Sequence, residues 1–165
     1  DATMAAHDAD LVVTITTSDT PVFSGAAVKP GALVILAGAN RPTAREADDD
    51  LIARAQVYVD HRTSCLERAG DLRIPLESGH LKIERVTAEI GELLASRSAS
   101  PRASADVTVF KSIGIIAQDL ALAEWLVARA GESGAGLDFD PQTGTCSRIS
   151  TTAASDALAC EAVFP

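Results

Sequence analysis

Three short segments combine the residue types from which a ligand site is made. Thr16-Thr17-Ser18-Asp19, Gly38-Ala39-Asn40-Arg41-Pro42 and Lys111-Ser112-Ile113-Gly114 each follow a run of apolar residues. Their small and hydroxyl-bearing side chains leave room for a ligand's polar edge and offer it hydrogen bonds. Ligands of open parallel sheets bind beyond the carboxyl ends of the strands, where all three segments fall. Ser112 also stands at the head of a long apolar segment, placed to cap a helix whose N–H groups favour a polar or anionic ligand group. Each segment has a plainer reading as well. Thr16 to Asp19 reads as a hydroxyl-stabilised turn, and 38–42 as a strand-to-helix connection. Ser112 reads as a simple N-cap, and Lys111 as a solvated surface lysine.

The sequence carries no GxGxxG fingerprint, no P-loop and no Ser-His-Asp arrangement. His7, His61 and His80 are far apart, so no metal site is expected, and His61 and His80 read as surface or structural. Asp48-Asp49-Asp50 complement the dipole at the start of a helix and read as surface. Cys65 reads as a thiol on a helix face. With Cys146 and Cys160 it makes an odd, scattered set without CxxC spacing. Such a set suits thiols in a reducing compartment, hence a cytoplasmic location.

The elements that position these segments are legible in the hydrophobic pattern. Asp10 to Thr16, Ala32 to Ala37, Val57 to Asp60 and Val107 to Phe110 are short apolar runs without alternation, as in strands buried on both faces. Glu46 to Ala55 has a helical apolar stripe. Thr63 to Ala69 reads as a helix with Gly70 as its C-cap, and Thr87 to Ser96 as another. Residues 71–85 give no clear pattern. Val22 to Gly31 reads as a short helical turn, and DATMAAH as the end of a helix. Ile113 to Ala130 is apolar nearly all round, which predicts a buried helix or one wedged between domains. Ser98 to Asp106 reads as a loop, and Gly134 to Asp140 as a last strand. Strands alternating with helices imply an α/β fold with a mostly parallel sheet. Residues 141–165, rich in Ser, Thr and Ala, show no period and are expected to lack order.

The chain has 165 residues, 47% of them hydrophobic, enough for one domain with a core. No run approaches the ~18 apolar residues of a membrane span, so no membrane partner is expected. A net charge of −9 repels phosphate backbones and argues against nucleic acid. The opening DATMAAHDAD lacks the basic start and apolar stretch of a signal peptide. With no initiating Met and a start on a helix end, the chain reads as a fragment or processed piece.

Five segments, taken in order and spacing, resemble the ornithine cyclodeaminase/mu-crystallin family over about residues 9–139. They are ADLVVTIT (9–16), VKPGALVILAGANRPTARE (28–46), DLIARAQVYVDHRTSCLERAGDL (50–72), EIGELL (89–94) and DVTVFKSIGIIAQDLALAEWL (106–126). The resemblance implies the second half of a Rossmann-type NAD(P)-binding domain, plus a long C-terminal helix. Residues 1–110 would be the partial nucleotide-binding domain. Residues 111–140 would be a helix and short strand returning toward an absent dimerisation and substrate domain, and 141–165 a disordered tail. The family's phosphate loop, ribose carboxylate and substrate-binding Lys and Arg would precede Asp1, so these residues alone are expected to be inactive. The implied cofactor is NAD or NADP, the substrate a small amino or imino acid, and the parent a homodimer.

Site residues carry over by position. Thr16, Ala37, Gly38, Ala39, Asn40 and Ser112 match the family's cofactor contacts, and Ile113 a substrate-wall residue. Small side chains at 37–39 avoid colliding with a flat nicotinamide ring. Asn40 stands where true cyclodeaminases have a catalytic aspartate, and an amide does not take up a proton at physiological pH. A lysine four positions on in those enzymes is Ala44 here, with Arg45 beside it. The resemblance therefore points to an NAD(P)-dependent oxidoreductase of the ketimine-reductase or amino-acid-dehydrogenase type. The alternatives are ornithine cyclodeaminase, a lyase making proline and ammonia, and a non-catalytic NAD(P)H or small-ligand binder.

Overall fold

The computed structural model describes residues 1–96, 107–149 and the backbone of 157–158. The expected loop at 98–106 and most of the tail beyond 149 lie outside the described residues. The chain forms two compact units, Asp1–Ile115 and Ile116–Pro165.

The first unit holds α1 (Ala2–Ala6), β1 (Leu11–Thr14), β2 (Leu33–Leu36), α2 (Asp49–Arg54), β3 (Gln56–Val59), α3 (Arg62–Arg68), α4 (Gly70–Glu77), β4 (Val86–Glu89), α5 (Ile90–Ser96) and β5 (Thr108–Lys111). The five strands form one parallel sheet in the order β1-β2-β5-β3-β4. This is the parallel half-sheet the pattern implied. The last strand in sequence inserts between β2 and β3, with Leu36 and Val59 each level with Lys111. That insertion sets the residues after β5 between the two loops that leave its neighbours.

Val34, Leu36, Val57, Val59 and Val109 pack with Leu51, Ile52, Cys65 and Leu72 into the main core. Alternate residues Leu33, Ile35, Thr108 and Phe110 are only half-buried, and Leu11 and Val13 of edge strand β1, with Ile15 just beyond it, are exposed. The expectation of burial on both faces is thus corrected. Apolar residues run continuously along the strands, but the packed core covers one face of this sheet.

Three further readings change. Residues 71–85, without pattern in the sequence, contain α4, with Pro75 tolerated inside it, and a 3₁₀ turn at Ile83–Arg85. Thr87 to Ser96 is not one helix. Its first residues belong to β4, paired with β3, and the helix starts at Ile90. Pairing at a sheet edge outweighs the weak helical preference of Thr-Ala-Glu. Gly70 is not a C-cap but the first residue of α4, after the extended cap residue Ala69. A side chain there would overlap the backbone carbonyl of Ala44. Close packing, not a left-handed turn, demands the glycine.

The second unit is α6 (Ile116–Ser133) followed by the antiparallel strands β6 (Leu137–Asp140), β7 (Thr145–Arg148) and β8 (Ala157–Leu158), in that order. β6 and β7 form a hairpin whose turn contains Gly144 at φ 68°, so regular structure extends into residues 141–149. No residue of α6 is buried within this chain, and Leu120, Trp125 and Val127 are exposed. Cys146 is disulfide-bonded, whereas the sequence suggested thiols throughout.

Candidate functional site

The carboxyl ends of β1, β2 and β5 are adjacent, and each runs into one of the three segments singled out above. A cleft of about 240 Å³ lies between the first two, lined by Thr17, Ser18, Gly38, Ala39, Asn40, Arg41 and Ala44. Asn40 is exposed, Ala39 is buried, and Thr16, Ala37 and Gly38 are half-buried. Arg41 of the second loop reaches Asp19 of the first at 2.7 Å. That pair is exposed and contributes at most ~1 kcal/mol.

Buried ionised groups hold these loops from below. Glu46 is fully buried. Its Oε1 accepts from the Thr16 N–H at 2.6 Å, and its Oε2 from the N–H groups of Gly38 at 2.8 Å and Ala39 at 3.4 Å. Burial works against the charge, but hydrogen bonds from Thr16 and Gly38 outweigh it and keep the carboxyl below its ordinary range. A Cβ on Gly38 would overlap the backbone of Thr16, so only glycine lets the two loops approach this closely.

Asp71 accepts from the N–H groups of Glu46 at 2.6 Å and Ala47 at 3.0 Å. Its Oδ2 faces Lys111 Nζ at 3.0 Å, and Lys111 donates to the Ala39 carbonyl at 2.6 Å. Among the described residues Asp71 Oδ2 has no hydrogen-bond partner, and the Lys111 ammonium compensates its charge. Lys111 has no exposed surface, which corrects its reading as a solvated surface lysine. It sits on the face of β5 that also buries Val109, and only its buried partners make the charge tolerable there.

The third loop is organised by Asp60, at the end of β3. Its Oδ2 accepts from Ser112 Oγ at 2.8 Å, Ile113 N at 2.9 Å and Gly114 N at 2.9 Å. Its Oδ1 accepts from His61 N at 2.8 Å and the Cys65 thiol at 3.0 Å. Burial again opposes the charge, and the donors, led by Cys65 and Ser112, override it and lower the carboxyl below its ordinary value. Cys65 responds in the opposite sense. Its burial, then the Asp60 carboxylate, push the thiol up to about 12. Ser112 does not cap the long helix, which begins at Ile116. Ile113 packs partly against the core.

The segments predicted from sequence therefore converge, with Ser112 held through Asp60. Glu46, Asp60, Asp71 and Lys111 were not recognised as their anchors. The available signal was a charge just after, or at the end of, an apolar strand, as in Val59-Asp60 and Phe110-Lys111, where solvent does not reach.

The N–H groups of Gly38 and Ala39 are engaged by Glu46 and do not form a cradle for an anion. The small side chains, hydroxyls and exposed Asn40 amide leave room for a ligand's polar edge and offer it hydrogen bonds.

The sequence matches the family model described as "Ornithine cyclodeaminase/mu-crystallin family" over residues 1–134. It is 37% identical over 136 residues to a Delta(1)-pyrroline-2-carboxylate reductase of Bacillus cereus, covering 82% of this chain and 42% of that protein. It is 39% identical over 120 residues to ketimine reductase mu-crystallin of Mus musculus, covering 73% and 36%. Its fold superposes with a TM-score of 0.73 on Thermococcus litoralis Delta(1)-pyrroline-2-carboxylate reductase, solved with NADH and L-proline. That comparison has 27% identity and covers 83% of this chain and 42% of the other. The chain thus spans about two fifths of the length of these relatives.

Proposed function

The chain belongs to the ornithine cyclodeaminase/mu-crystallin family, and from that premise we propose that it is part of an NAD(P)-dependent oxidoreductase acting on a small amino or imino acid. The reaction is hydride transfer between the nicotinamide and the carbon of a carbon–nitrogen double bond, as in reduction of a cyclic ketimine such as Δ1-pyrroline-2-carboxylate. The cofactor supplies the hydride chemistry when bound. Thr16, Ala37, Gly38, Ala39, Asn40 and Ser112 would hold and orient its nicotinamide end, and Ile113 would contribute to the substrate wall. We assign the complete protein to a homodimer as part of the same reading, with neither nucleic acid nor membrane as a partner; the disulfide at Cys146 removes the thiol argument for the cytoplasm.

The observation that carries the choice of reaction is Asn40, an exposed amide at the cleft where a cyclodeaminase has its carboxylate. An amide can hydrogen-bond a substrate but cannot relay the proton that ammonia elimination requires. The test is steady-state oxidation of NADH and NADPH with Δ1-pyrroline-2-carboxylate by the complete gene product. Turnover with either nucleotide supports the reductase, and the ratio of the two rates identifies the cofactor. Binding without turnover would favour the non-catalytic ligand binder.

The second reading, ornithine cyclodeaminase, rests on the same position. If Asn40→Asp converts the protein into one that releases ammonia from ornithine, the site has lyase ancestry. If Asn40→Asp gains no ammonia release and still transfers hydride, the reductase reading stands.

A further inference from the structure

Three fully buried ionisable side chains, Glu46, Asp71 and Lys111, lie beneath the cleft within one connected set of contacts. A buried charge is a poor way to gain stability, because apolar side chains of similar volume often do as well or better. The contacts of Glu46 indicate another use. One carboxylate gathers N–H donors from two different loops, Thr16 after β1 and Gly38-Ala39 after β2. Asp71 fixes the backbone of Glu46 itself, and Lys111 holds the carbonyl of Ala39. Ala39 is thus held at its N–H and at its C=O, immediately before Asn40.

We propose that Glu46 is a positioning residue for the cofactor-facing loop. It sets the separation of the two cleft walls, and by engaging the Gly38 and Ala39 N–H groups it makes this end of the cleft reject anions and leaves it to an amide-bearing ring. The role in ring selection rests on the nucleotide reading above. The role in loop geometry does not.

The test compares wild type, E46Q and E46D as complete gene products. A glutamine presents one acceptor and one donor edge, so it satisfies one loop and repels the N–H of the other. An aspartate keeps the charge but is one methylene too short to serve both. In both variants, amide hydrogen exchange at residues 16, 38 and 39 is expected to accelerate at least tenfold, with Val57 and Val59 of β3 unchanged. The NADH dissociation constant is expected to rise at least tenfold. Inorganic pyrophosphate, which wild type should bind no better at this end than bulk anions, should gain affinity in E46Q. Exchange and NADH affinity within twofold of wild type in either folded variant would overturn the proposal. Should wild type bind no nucleotide, the functional reading fails, and the exchange pattern alone supports or overturns the positioning role.

Discussion

Lys111 donates a 2.6 Å hydrogen bond to the carbonyl of Ala39, a residue 72 positions earlier in the chain. The contact joins the end of β5 to the loop after β2, and Asp71, 3.0 Å from the same ammonium, balances its charge. An internal ion pair thus stands where the hydrophobic pattern alone would place a methionine or leucine.

The first expectation follows from that pair. Lys111→Met leaves Asp71 buried without its cation and should destabilise the protein by about 3–5 kcal/mol. The double variant Lys111→Met/Asp71→Asn should recover part of that loss. Chemical denaturation of both variants checks the coupling. With Asp71→Asn also measured alone, a double-variant loss equal to the sum of the two single losses would show that the two side chains act independently.

Gly38→Ala places a Cβ into the backbone of Thr16. It should cost about 1–3 kcal/mol through overpacking and weaken nucleotide binding by separating the loops. Gly91→Ala is the control, because a Cβ there meets nothing within 4 Å. In helix α5 it should stabilise by roughly 0.5–1 kcal/mol. Thermal melts of the two variants should shift in opposite directions.

The acid limb of stability should depend on Asp60 and Glu46. Both carboxyls sit below their ordinary values of 3.8 and 4.5 in the folded protein. Their stabilisation is therefore complete above those values and is lost as pH falls through the lower folded ones. Urea midpoints measured from pH 6 to about pH 2.5 should fall steeply for wild type and less steeply for Asp60→Asn. Parallel curves would remove Asp60 from the explanation.

The alkaline limb should report Cys65. Its thiol titrates near 9.0 when unfolded and near 12 in the fold. Below pH 9 the thiol is neutral in both states, so stability is unaffected. Between the two values the unfolded chain gains by ionising, and stability declines. Cys65→Ser should flatten that decline relative to wild type, with urea midpoints at pH 8, 9 and 10 as the readout.

Much of the architecture was legible without coordinates. The apolar runs at 10–16, 32–37, 57–60 and 107–110 located β1, β2, β3 and β5, because a buried strand must be apolar to leave water. Thr16, Gly38-Ala39-Asn40 and Ser112 combined small and hydroxyl residues at strand ends, a composition that serves plain turns as well as ligand sites, and the structure brings their segments to adjacent strand ends. The second unit was less legible. The alternation Leu-Asp-Phe-Asp marks β6, but β7, Thr-Cys-Ser-Arg, carries little pattern and is defined by its pairing with β6.

The sequence determined four of the five sheet strands and the end of the sheet at which the candidate segments fall, since both follow from local composition and the direction of the chain. The tertiary structure alone decided strand order, and with it the anchoring of the site. Only when β5 inserts between β2 and β3 do Lys111 and Asp71 come within 3.0 Å, and does Ser112 reach Asp60 across 52 residues of chain. A lysine or aspartate becomes an anchor only when folding strips it of water and supplies a partner. No local pattern encodes that partner, because it arrives from a distant part of the chain.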